Sequence, residues 1–364
     1  MDTLKEIFQG NRELFKGLYI YNRYSFEKYP VIKISWSGNL RSLPNIEEYG
    51  KSILRENCKR LGVELDLNRD MSVCLKEIIQ LVHDTYNKRV VVLVDEYDRP
   101  ILDNIDQVEV ARDAREFLKG LYGILKDADE FIRFVFITGV SRFSRVSIFS
   151  GINNLEDISL NPDFAYICGY KHENLEKEFK GYMAGADLEE VKNWYNGYNF
   201  LGKENVYNPF DILLFVRNHH KFKNYWFSTG TPTFLIKLIK EKSFNFIELE
   251  NLETDEKILE SFDIDKIDIE PVMFQTGYLT IKEQKQIGRK TKYVLTFPNI
   301  EVRMSFNDYL LDYLVEDVSE KGKLQDKLYE MFSQEDISVL EDTLKTLFAA
   351  IPYTNYIKKS NCKI

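Results

Sequence analysis

One stretch limits the possible folds more than any other. From Val90 to Val94 the chain is unbroken apolar, and Asp95 and Glu96 follow at once. A run without the two-residue alternation of a half-exposed strand reads as a strand buried on both faces, as in parallel sheets flanked by helices. Its last residues are then delivered to the carboxyl edge of the sheet. Two readings of the acidic pair stay open on this pattern alone. One is a core strand running into an acidic turn. The other is a strand of the Walker B type, in which the first acid holds Mg²⁺, usually through water, and the second orients the water that attacks a phosphate.

The neighbouring segments supply context. Pro30 to Trp36 predicts a strand stopped by Ser37-Gly38, and Phe131 to Thr138 predicts another, leading into Gly139-Val-Ser-Arg142. Between them, Asn45–Leu61, Met71–Tyr86 and Val108–Lys126 carry apolar residues at helical spacing. Strands separated by helices argue for a parallel α/β sheet, and Phe164 to Cys168 is expected to add a fourth strand. In open α/β sheets the ligand sits beyond the carboxyl ends of the strands. Asp95, Glu96, Thr138 and Arg142 converge there. For Arg142 and Arg145 the alternative is a surface pair flanking Phe143.

Composition narrows the class. At 364 residues the chain is too long for one compact core. A net charge of −9 makes non-specific nucleic-acid binding by the whole surface a poor expectation. No apolar run approaches the roughly 18 residues of a membrane span, and Met1-Asp-Thr-Leu-Lys-Glu lacks the features of a signal peptide, so a cytosolic protein with no membrane partner is expected. The four cysteines show no ligand or disulfide spacing. The His219-His220 pair reads as a solvated helix end.

After residue 172 the texture is helical, with Asn208 expected to cap a helix that has Pro209 in its first turn. Further helices are expected at Thr233–Glu241 and Ile337–Phe348. A helix ending near Gln275, followed by strands at Tyr278–Lys282 and Tyr293–Phe297, suggests a winged-helix-like module with a basic turn at Lys285–Lys292. That turn is a candidate nucleic-acid contact, although charged hairpin tips are ordinarily just solvated.

Several motifs taken in order resemble one family. They are Glu13-Leu-Phe-Lys-Gly-Leu-Tyr-Ile20, Val91 to Ile101 with its Asp-Glu-Tyr-Asp-Arg-Pro core, Phe136-Ile-Thr-Gly-Val-Ser-Arg-Phe-Ser144, Ile148 to Leu155, Trp194 to Phe200, Val206 to Phe210 and Tyr225 to Gly230. The resemblance is to the bacterial and archaeal AAA-ATPase-like family, P-loop NTPases often fused to a C-terminal PD-(D/E)XK nuclease-like domain. It implies ATP and Mg²⁺ as ligands. Asp95 would bind the metal, Glu96 would act as base, Thr138 would be a sensor-like polar group, and Arg142 or Arg145 would contact phosphate.

Two departures from the family pattern shape the expectation. No G-x-x-x-x-G-K-[ST] phosphate loop occurs in the 364 residues, whereas in the family it lies just before the helix that begins here at Met1. The nuclease signature is also absent. The resulting expectation is a P-loop-NTPase-type parallel sheet lacking its first strand and phosphate loop over residues 1–172. A helical lid (173–262), the winged-helix-like module (263–320) and a helical linker (321–364) toward a missing nuclease-like domain would follow. The strand at Phe131–Thr138 would then be left with an open edge unless Phe164–Cys168 closes it. The chain would be an inactive or fragmentary ATPase, or else a non-enzymatic scaffold keeping the fold. Nucleic acid reached through the nuclease-like domain and a homo-oligomer are the partners this reading allows.

Overall fold

The computed structural model describes residues 1–141, 148, 149, 152, 154–226, 246–255 and 267–314, with single residues at 235, 238, 259, 264, 322, 323, 326 and 345. The helices expected at 233–241 and 337–348 lie largely outside the described residues. The chain divides into two compact units, Met1–Glu156 with Lys257–Thr276, and Asp157–Glu256 with Gly277–Ile364.

In the first unit α1 (Asp2–Phe8) precedes β1 (Val31–Ser35), α2 (Leu43–Leu61), α3 (Met71–Tyr86), β2 (Val90–Asp95), α4 (Arg99–Leu102), α5 (Val108–Asp127) and β3 (Ile132–Ile137). Local chemistry sets several of these boundaries. Ser42 caps α2 with Pro44 in the first turn, and Gly62, in the left-handed region at φ 64°, ends it. Asp70 accepts from the Ser72 amide to start α3, and Asn87 ends it at φ 48°. Both helices are amphipathic, burying Ile46, Ile53, Leu54, Leu75, Ile78 and Val82.

The three strands are parallel in the order β1-β2-β3. β2 is central, and Val90 to Val94 are all fully buried, as the unbroken apolar run requires. On one face Met1, Leu4 and Phe8, in and just before α1, pack with Phe136 against Val31, Val91 and Leu93. Elsewhere α2 packs along β1 and α3 along β2.

The two edges of this sheet differ. Along β1, the buried Asn57 side chain from α2 accepts from the Lys33 amide at 3.0 Å and donates to the Lys33 carbonyl at 2.8 Å, while Arg60 donates to the Val31 carbonyl at 2.8 Å. Side chains thus complete the ladder where no further strand pairs among the described residues. Along β3 no further strand pairs among the described residues. Arg133 and Phe134 are exposed and Val135 to Ile137 are only partly covered.

The fourth strand expected at Phe164–Cys168 does not form. Asn161 instead accepts from the Asp163 amide and starts a short 3-10 turn at Pro162–Phe164, followed by further turns that leave Phe164 and Ile167 exposed. Asn-Pro-Asp turn chemistry overrode the apolar character of the residues after it.

The second unit contains α6 (His172–Lys177), α7 (Leu188–Tyr195), α8 (Pro209–Arg217), an antiparallel sheet and a long helix. The sheet strands are β4 (Leu252–Asp255), β5 (Thr280–Ile287) and β6 (Lys290–Thr296), in the order β4-β6-β5. Asn208 caps α8 by accepting from the Phe210 amide, with Pro209 in the first turn. Leu175, Val191, Tyr195, Tyr207, Ile212 and Phe215 make one core. Gly197, at φ 131°, lies so close to the Pro298 carbonyl that a Cβ has no room. Of the helix-and-hairpin region around 263–320, α9 (Ile269–Gln275) groups with the first unit, and β5, β6 and α10 (Ile300–Leu314) group with the second.

The edge contacts give a direct test. Asn57→Ala strips the partner from one buried amide and one carbonyl of Lys33, and should lower the unfolding free energy by about 2–3 kcal/mol, read from urea melts. A cost near zero would mean that water replaces the side chain at that edge.

Candidate functional site

The parallel ladder carries its order past the strand ends. Trp36 donates its amide to the Asp95 carbonyl, Thr138 donates to the Val94 carbonyl at 2.9 Å, and Tyr97 donates to the Thr138 carbonyl at 3.0 Å. The residues after β2 and β3 are therefore held side by side. At this point the Thr138 hydroxyl lies 2.6 Å from Asp95 Oδ1 and donates to it. Asp95 and Thr138 are partly exposed, and Glu96 is exposed. A carboxylate and a hydroxyl side by side are hard oxygen donors, which suit Mg²⁺ better than a softer metal.

Glu96 sits in the left-handed region at φ 54°, unusual for a residue with a long side chain. The reversal ends β2 and sends the Glu96 carboxylate back to Arg99, whose Nη1 is 2.8 Å from Oε2. Arg99 also reaches the Trp36 carbonyl and Asp103. The hydrogen bond with Glu96 holds the Arg99 guanidinium above its ordinary range.

Behind the exposed acids lies a third acid of the Asp-Glu-Tyr-Asp-Arg-Pro motif. Asp98 is fully buried, and its carboxylate accepts from the Val140 amide at 3.3 Å and from the amide and hydroxyl of Ser141, each at 2.5 Å. Burial pushes the Asp98 carboxyl up while these donors pull it down. Tyr97 adds a hydrogen bond from its hydroxyl to the Ser141 carbonyl at 2.8 Å. A Cβ on Gly139 would run into both the Asp98 carboxylate and the Tyr97 ring. Beneath them Trp36 Nε1 donates to the Tyr122 hydroxyl at 2.9 Å. The one sequence signal for Asp98 was its place in a short acidic run directly after a buried strand.

The structure thus brings Asp95, Glu96 and Thr138 together at the carboxyl edge. Arg142 and Arg145 lie outside the described residues. In the hairpin of the second unit, Lys285 pairs with Glu253 and Glu283, and Lys292 with Asp255, so two of the basic side chains of the 285–292 turn are already engaged by acids. Among the described residues no helix is long and apolar enough to cross a membrane.

The buried network predicts unequal mutational costs. Asp98→Ala leaves the donors of Val140 and Ser141 without an acceptor and should cost about 3 kcal/mol, whereas Tyr97→Phe removes one neutral hydrogen bond and should cost about 1 kcal/mol. Chemical denaturation of both variants checks the order, and equal costs would remove Asp98 from its central place.

Comparison with known proteins adds a family to this description. The family model AAA-ATPase-like, described as predicted AAA-ATPase, matches residues 1–149 and so spans all three parallel strands and the residues at their carboxyl ends. A protein of Azotobacter chroococcum mcd 1, described as an uncharacterized protein in the vnfD 5' region, is 40% identical over 358 residues, covering 98% of this chain and 69% of that protein. No solved structure matches the chain. Residues 1–149, which carry the three parallel strands, thus belong to the AAA-ATPase-like family.

Proposed function

We propose that the first unit is the catalytic half of an ATP-hydrolysing site at the carboxyl edge of β1, β2 and β3. The observation that carries this reading is the Thr138–Asp95 hydrogen bond across the ends of two adjacent parallel strands. It engages Asp95 Oδ1 and leaves Oδ2 to face a hydrated Mg²⁺. The metal, when bound, would neutralise charge on the β- and γ-phosphates. Glu96 orients the attacking water, and Thr138 fixes the orientation of Asp95 and touches the terminal phosphate. Arg142 and Arg145 remain the candidates for phosphate contact.

Glu96 reaches the water by leaving Arg99. The pair is solvent-exposed, with side chains 38% and 49% accessible, and such pairs contribute no more than about 1 kcal/mol. Reorientation is therefore inexpensive on the scale of a catalytic barrier. The open edge of β3 fits the same reading, since in P-loop ATPases the strand leading into the phosphate loop pairs at that position. A second reading is a non-enzymatic interaction module on the same fold.

Calorimetric titration with Mg·ATP, together with phosphate release, separates the two. The ATPase reading expects binding that weakens in Asp95→Asn. It also expects turnover that falls by about 10²–10⁴-fold in Glu96→Gln while binding persists, the range for loss of a general base. Neither binding nor turnover by the wild-type protein would leave the interaction module standing.

A further inference from the structure

The second unit contains a pair of acids that the ATPase reading does not use. Asp211 lies in the first turn of α8 and Glu301 in the first turn of α10, and both are fully buried. Their carboxyl groups are within hydrogen-bonding reach of each other. Glu301 Oε1 accepts from the Trp226 amide at 2.8 Å. Glu301 Oε2 and both oxygens of Asp211 make no hydrogen bond of ordinary geometry among the described residues, although the backbone of Trp226 lies near Asp211 and that of Tyr225 near Glu301 and each lowers the carboxyl it faces.

No lysine, arginine or histidine among the described residues forms an ion pair with either acid. The titratable groups that act on them are each other and the phenols of Tyr195, just after which α7 ends, Tyr198 in the loop beyond it, and Tyr225. Two unpaired carboxylates side by side in such surroundings are prohibitive, because each loses its hydration and repels the other. One proton placed between them removes the repulsion and provides the missing donor. The single remaining negative charge is then favoured by two helix N-termini, each carrying partial positive charge.

We propose that Asp211 and Glu301 share one proton and form a latch between the first turns of α8 and α10, and that losing this proton loosens the second unit. Burial pushes both carboxyls up, with their mutual repulsion adding to the effect on Glu301. The sign of the pH effect follows from linkage. Each acid has a higher pKa in the folded chain than in the unfolded one, so folding takes up a proton. The stabilisation is complete below the ordinary carboxylate range, falls as the pH rises through about 7, where the pair is left with its one shared proton, and is lost as that proton leaves toward about 9.

Amide substitutions reproduce the protonated state. In Glu301→Gln the amide oxygen can still accept from Trp226 while its NH₂ donates to Asp211, and in Asp211→Asn the NH₂ donates to Glu301. Urea midpoints of the full chain measured from acid to alkaline pH should fall for the wild type across the alkaline half of that range. They should fall distinctly less for each amide variant. Equal pH slopes in all three proteins would overturn the proposal.

Side-chain carboxyl ¹³C shifts of the wild type provide a measurement that does not depend on a variant folding. Two carboxyl resonances titrating well above the usual range support the shared proton, and a full set of ordinary titrations overturns it. Adding Mg²⁺ or Ca²⁺ at alkaline pH tests the competing occupant. A wild-type midpoint restored by the cation, with no such rescue in Glu301→Gln, would make the pair a metal site and refute the proton latch.

Discussion

The structure depends on the parallel pairing of β2 with both of its neighbours. Because the ladder continues past the strand ends, through Trp36, Thr138 and Tyr97, the backbone itself sets the positions of the candidate catalytic groups. Side chains on the sheet end are then adjusted over short distances only. This is how an α/β sheet converts many small backbone hydrogen bonds into a fixed polar rim. The fully buried run Val90–Val94 supplies the hydrophobic contribution that anchors the ladder, and without it the acids at its end would have no defined geometry.

Much of the first unit was legible in the sequence because it obeys simple periodicities. Met71–Tyr86 forms the helix its spacing predicts, and the others begin or end within a residue or two of expectation. Asp95 and Thr138 could be placed at the carboxyl edge because strand ends are recognisable. What could not be read was the traffic between elements. Asn57 looks like an ordinary polar residue on a helix, yet it serves the edge of a strand 24 residues away in the chain. Asp98 looks like a further surface acid after Asp95 and Glu96, and it is the most buried of the three. Pattern reasoning misses such residues because their partners are tertiary.

The Phe164–Cys168 segment shows the opposite failure. Its apolar residues match a strand, but a strand needs a neighbour, whereas the Asn161-Pro-Asp turn before it closes on its own atoms. Local hydrogen bonds prevailed over a pattern that needed distant partners. The acid pair in the second unit was equally invisible beforehand, since Asp211 and Glu301 are far apart in sequence and each, alone, resembles an ordinary first-turn helix acid.

Glu96 illustrates how stability and chemistry pull apart at one position. Its left-handed backbone is one that glycine or asparagine occupies with less strain, at a penalty to glutamate on the order of 1–2 kcal/mol. A search for more stable variants of this chain would therefore select glycine there first. It would relax the turn, remove the Glu96 partner of Arg99 and erase the carboxylate that stands beside Asp95 at the rim of the sheet. The site is thus most exposed to loss through substitutions that improve the fold.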